Sequence, residues 1–171
     1  MRAVPSSPGP VRVVDVVRAF KYRIDPAPET EQALRSHVGG SRFARNHLLG
    51  LVKANWDQIA AEKLASGDGT HTTAYVDISH FGLLRLWVSV RDDATARDGM
   101  APWWSENCQQ AYNDAAIRLS RAFTAWRNKT ARFPTFATKG RSESVKFCGV
   151  SFGIVDRVLP LRTGGGAPTS A

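Results

Sequence analysis

One stretch constrains this chain more than any other. Between residues 105 and 127, Cys108, Ala111, Tyr112, Ala115, Leu119, Ala122, Phe123 and Trp126 recur at spacings of three and four. A helix over this stretch carries one apolar face for roughly five turns. Such a face must be buried against other elements, so the chain needs further helices with matching stripes. One stripe is supplied by Ala44, His47, Leu48, Leu51, Asn55 and Ile59, with Arg42, Asn46 and Lys53 on the opposite side.

Local signals divide the middle of the chain into about four helices. Pro28, Glu29 and Glu31 suit a helix start, because proline loses no needed N–H there and the acids complement the helix dipole. Gly39–Gly40 reads as a stop, after which Ser41 caps a second helix to about Leu64. Ser79 caps a third, through Leu83, Leu84, Leu86, Trp87 and Val90, and Ser105 caps the fourth. The hairpin at Gly39–Gly40 has the form of a helix-turn-helix that presents Arg42, Arg45 and Asn46 near the start of its second helix.

The flanks read differently. Phe20, Tyr22 and Ile24 alternate with Lys21 and Arg23, the period-two pattern of a strand with one cationic face, and Asp25–Pro26 ends it. Phe133–Pro134 breaks helix, and residues 145–147 and 158–161 read as short strands. Expected boundaries are a disordered tail over 1–10, a first strand in 11–27, a helical region over 28–130, further strands in 131–162 and a flexible tail over 163–171. The expected fold class is α+β: a helical bundle inserted into a small, incomplete, wedge-like β-barrel.

Charge points to the partner. The 171 residues carry a formal +8 with a pI near 10.1, and residues 118–147 hold eight basic side chains against Glu143 alone. A concentrated cationic field attracts a polyanion, nucleic acid first. In this segment Arg127, Lys129, Arg132, Lys139, Arg141 and Lys146 interleave with Trp126, Phe133, Phe136 and Phe147, setting phosphate neutralisation beside rings that can stack on bases.

Other function classes lack their residues. The sequence has no phosphate-binding glycine loop, no Gly-x-Ser-x-Gly and no His-Glu-x-x-His, so no catalytic residue, metal ligand or cofactor is expected. Cys108 and Cys148 form no Cys-x-x-Cys pair, and prolines interrupt the first fifteen residues where a signal peptide would need an apolar run. A cytoplasmic protein with reduced thiols is the expectation. A non-functional remnant or protein-interaction module without specific nucleic-acid binding, and a helix-turn-helix DNA-binding repressor that would need to dimerise, are the competing classes.

Five blocks carry a family resemblance: Ala19–Pro26 (AFKYRIDP) with Glu29 and Glu31; Gly40–His47 (GSRFARNH); Asn107–Ala111 (NCQQA) leading to Arg121–Phe123; Arg132–Phe136 (RFPTF); and Ser144–Phe147 (SVKF). In order and spacing they resemble the N-terminal half of TnpB-type, OrfB-family transposon proteins. The resemblance implies the nucleic-acid-holding half of an RNA-guided nuclease, with a helical recognition domain set into a strand-rich wedge and a helix-turn-helix label on its first helices. The family's RuvC-like nuclease, with its metal-binding carboxylates and zinc ribbon, lies beyond this half, and Gly164–Gly166 resembles a truncation point. The expected function is therefore nucleic-acid binding without cleavage, guide-type RNA or transposon-end DNA being the partner. Lys21, Arg23, Arg42, Arg45, Asn46, Arg127, Lys129, Arg132, Lys139, Arg141 and Lys146 are the expected contacts.

Overall fold

A computed structural model describes residues 25–92, 102–141, 144 and 146. Helix α1 runs without interruption from Pro28 to Ser66. Pro28 sits in its first turn with Glu29 and Glu31, and the Arg35 guanidinium meets the Glu31 carboxylate at 2.6 Å one turn on. It ends at Gly67, whose φ of 70° is the left-handed conformation that glycine adopts at no steric cost. Helix α2 spans His80–Asp92 and helix α3 spans Gln109–Arg127, with a short 3-10 turn over Pro102–Glu106 between them.

The expected stop at Gly39–Gly40 is not there, so the first two expected helices are one. The reason is packing. Gly40 is buried where α1 meets α3: a Cβ at this position would lie 3.1 Å from Asn107 Nδ2 and 3.4 Å from Tyr112 Cε1. The glycine serves close approach rather than a turn. Each interior glycine costs a helix about 0.5–1 kcal/mol relative to alanine, which burial of the α1 face outweighs.

The α3 stripe is buried as its spacing predicts, whereas on α1 the buried face turns to Leu49 and Val52 and leaves the expected His47, Leu51 and Asn55 half-buried. Ala44, Leu48, Leu49 and Val52 of α1, Leu83 and Trp87 of α2, and Tyr112, Ala115, Ala116, Leu119 and Phe123 of α3 form one buried core. The Trp87 and Tyr112 rings stack at 4.8 Å, and the Tyr112 hydroxyl donates to the Trp104 carbonyl. Burial pushes the Tyr112 hydroxyl up to about 12. Ser79 does cap α2, its Oγ accepting the Gly82 N–H at 3.1 Å. Ser105 is not the cap of α3: it lies inside the 3-10 turn, and the cap position of α3 is Cys108.

The expected α+β class is overturned: among the described residues there are three α-helices, no strand and no barrel. Residues 132–138, expected to open the second set of strands, run non-helically past α1 with no strand ladder. Side chains of α1 hold the backbone of Thr135 and Ala137 instead. The expected strand over 11–27 lies almost wholly outside the described residues, as do Val145, Phe147 and residues 158–161.

Two substitutions test the uninterrupted helix. Gly39 has open space around its Cβ position, so Gly39→Ala is expected to raise stability by about 0.5–1 kcal/mol, whereas Gly40→Ala presses on Asn107 and Tyr112 and is expected to lower the melting temperature. A loss of stability at Gly39 would mark a turn there. Phe123→Ala should cost about 3–5 kcal/mol, measured by urea denaturation.

Candidate nucleic-acid interface

Residues 132–138 cross α1 as a strap. The Asn46 side chain fixes it at two points, Nδ2 donating to the Ala137 carbonyl at 3.0 Å and Oδ1 accepting the Ala137 N–H at 2.7 Å. Arg45 adds a bond to the Thr135 carbonyl at 2.8 Å. Thus two residues expected to contact nucleic acid from a helix start sit mid-helix and hold the chain's own backbone. A matching clamp lies further along α1: Asn55 donates to the Ala74 carbonyl at 2.9 Å and accepts the Val76 N–H at 3.0 Å.

Arginines gather beside the strap. Arg42 and Arg45 of α1, Arg118 of α3 and Arg141 after the strap line one cleft of about 40 Å³, together with Ser41, Thr138 and Ser144. Arg118 donates to the Ser144 carbonyl at 2.7 Å and to its hydroxyl at 3.0 Å, and lies 3.5 Å from the Asp114 carboxylate. Burial, and then repulsion from the Arg118 charge, lowers the pKa of Arg45. A guanidinium remains protonated at neutral pH regardless. Arg118 was missed as a site residue because it lies within the helix whose apolar stripe dominated the reading of that stretch.

The remaining expected contacts separate into groups. Arg127, Lys129, Arg132, Lys139, Arg141 and Lys146 are all exposed. Arg127 faces a second concavity of about 440 Å³ with Trp56, Tyr75, Val76, Ile78 and Trp126. Lys129 follows α3 with a φ of 58°. Its N–H bonds to the Trp126 carbonyl and the Thr130 N–H to the Ala125 carbonyl, closing the helix in a Schellman motif. Lys21 and Arg23 lie outside the described residues.

The aromatic partners are mostly internal. Trp56, Phe123, Trp126 and Phe133 pack against one another with ring centroids 5.2–5.9 Å apart. Only Phe136, with Lys53 over its ring at 5.6 Å, is left substantially exposed among the rings expected to stack on bases within the described residues. Cys108 is a buried free thiol. Among the described residues no group of three or more His, Cys, Asp or Glu side chains is placed to hold a metal ion, and no helix is long and apolar enough to cross a membrane.

Comparison with known proteins adds two likenesses. Residues 16–59 match the model for the helix-turn-helix domain of the OrfB/IS605 type. That segment of the chain is similar to an OrfB-type helix-turn-helix domain. It is also 28% identical, over 135 residues and 73% of its length, to proteins from two strains of Mycobacterium tuberculosis, each named as a candidate RNA-guided DNA endonuclease. The chain spans 27% of the length of those relatives. These matches bear out the resemblance to transposase-like OrfB proteins. Within the OrfB-type domain, residues 28–59 form a single helix rather than a hairpin.

Acid should loosen the fold in two windows. Burial lowers the pKa values of His37 and His47, the Asn107 hydrogen bond to His37 opposing this in part. The unfolded chain therefore takes up these protons first, so stability is fully present above about pH 6.5 and falls as pH drops toward the lowered folded values. Hydrogen bonds from Thr73, Gln58 and Thr72 hold the Glu62 carboxyl down to about 2. Its contribution is present above its unfolded value of about 4.3 and is lost as pH falls toward 2. Melting temperatures should fall between pH 7.5 and 5.5, and His47→Gln should flatten that drop while leaving the lower window unchanged.

Proposed function

We propose that this chain binds nucleic acid through backbone phosphate, with the exposed cations after α3 and the arginine cleft forming one contact region. The observation that carries this reading is the run from Arg127 to Lys146: six cations, all exposed, none joined to a carboxylate among the described residues. Solvated cations left uncompensated along one segment neutralise phosphates and release counterions. The OrfB-type domain supports the same class of partner, since helix-turn-helix domains bind DNA.

The geometry favours holding over base reading. Arg45 and Asn46, the residues best suited to bidentate base contacts, are occupied by the strap. The partner is proposed to be guide-type RNA or transposon-end DNA, held by its backbone, in keeping with the division of labour in which pairing by an RNA reads the sequence and protein holds shape. In this reading the described part contributes binding and no bond-breaking step.

Fluorescence anisotropy with labelled duplex DNA and single-stranded RNA tests the reading. If about five phosphates are neutralised, the logarithm of the binding constant on duplex should fall with the logarithm of salt at a slope of about −4 to −5. A flat response would refute it. Lys129→Gly separates charge from structure: relief of the left-handed conformation should leave stability unchanged or raise it by up to about 1 kcal/mol, while affinity falls.

A further inference from the structure

We infer that the concavity between α1, the loop that follows it and the end of α3 takes one unpaired base of a bound single strand. This rests on the nucleic-acid reading and adds to it a contact with a base rather than with phosphate. The walls are aromatic. Trp56 of α1 and Trp126 of α3 stand with ring centroids 5.7 Å apart, and Tyr75, Val76 and Ile78 of the loop line the same space of about 440 Å³. Phe133 packs against both tryptophans, at 5.8 and 5.2 Å.

Tyr75 sets this concavity apart from ordinary packing. Tyr112 serves the core and is buried, whereas Tyr75 keeps 56% of its surface exposed. It is nonetheless fixed. Asn55 clamps the backbone on both sides of it, donating to the Ala74 carbonyl at 2.9 Å and accepting the Val76 N–H at 3.0 Å. Lys63 lies over the ring, its Nζ 5.6 Å from the centroid, and donates to the hydroxyl at 3.1 Å. An exposed ring held in advance loses little freedom when a ligand settles on it.

Size and charge select the occupant. The volume falls within the range of small-ligand pockets, about 300–1,000 Å³, and Arg127, in the lining, pairs with no carboxylate among the described residues. Asp77, in the loop wall, already accepts the Ser79 N–H and pairs with Arg85. Flat apolar walls beside an uncompensated cation suit a planar ring carried on an anionic backbone, and the cationic segment that continues through Lys129 and Arg132 starts here. Stacking tolerates any base, so the contact holds a strand without reading it. A base within a duplex is already paired and stacked, which commits the site to single strands.

The test uses the full chain and two single-stranded DNA oligonucleotides of equal length and charge, one with bases and one with abasic spacers throughout. The wild type is expected to bind the strand with bases roughly tenfold more tightly. Tyr75→Ala should lose that preference while the salt slope and the affinity for duplex DNA stay unchanged, because a base contact releases no counterion. Tyr75→Phe keeps the ring and should restore the preference. Tyr75→Leu keeps apolar bulk without the ring and should not, which separates stacking from loss of fold. Phe81→Ala removes an exposed ring of α2 outside the concavity and is the control. Equal affinity of the wild type for the two strands would overturn the base site and leave phosphate binding standing. Failure to bind any strand would instead overturn the nucleic-acid reading. A preference undiminished in Tyr75→Ala would also overturn the site: a lowered melting temperature in that variant would then assign the concavity to the chain's own packing, and a loss of self-association would assign it to a second copy.

Discussion

The close approach of α1 and α3 governs the rest of the structure. Small side chains make it possible: Gly40 and Ala44 on α1, Ala111, Ala115 and Ala116 on α3, all buried. Interaxial distance follows the side chains at the crossing, so these positions set how near the helices lie and therefore how far Tyr112 reaches. Tyr112 lies beside Gly40, stacks on Trp87 of α2 and bonds to the turn at Trp104. One residue on α3 thereby ties together the other two helices and the segment that leads into its own.

With the bundle fixed, α1 becomes a post on which irregular chain is hung. Asn46 and Asn55 are nine residues apart, half a turn out of phase at 100° per residue, so they address opposite sides of the helix. Each offers one donor and one acceptor to a passing backbone, replacing the pair of bonds that a neighbouring strand would supply. Glu62 serves the loop after α1 as an acceptor alone, taking the Thr72 and Thr73 backbone N–H groups, both at 2.9 Å. Backbone polar groups away from water must be paired. Here polar side chains of a helix do that work in place of a sheet.

This accounts for what the sequence revealed and what it hid. The α3 stripe and the Ser79 cap were legible because each is local: periodicity and an N-cap are properties of neighbouring residues. The exposed cations after α3 were legible for the same reason. Gly39–Gly40 misled because a glycine pair looks the same whether it turns the chain or admits a neighbouring helix, and only Asn107 and Tyr112, some seventy positions away, decide between the two. Residues 132–138 fell inside the region expected to hold further strands, although Phe133–Pro134 signals only the end of a helix, while the groups that hold them sit on α1, ninety residues earlier. Arg118 was hidden by its own helix, whose buried face drew attention from the side chain beside it.

The arginine cleft sets a physical tension within this frame. Like charges brought together near a partly buried surface oppose folding, since screening by water weakens as the groups lose exposure. Arg45, whose pKa is lowered by burial and then by the Arg118 charge, also holds the Thr135 carbonyl. Leu48, Val52 and Leu119 of the neighbouring core are fully buried. The strap itself is fixed by side-chain bonds from Arg45 and Asn46 and by Phe133, which packs against Trp56, Phe123 and Trp126.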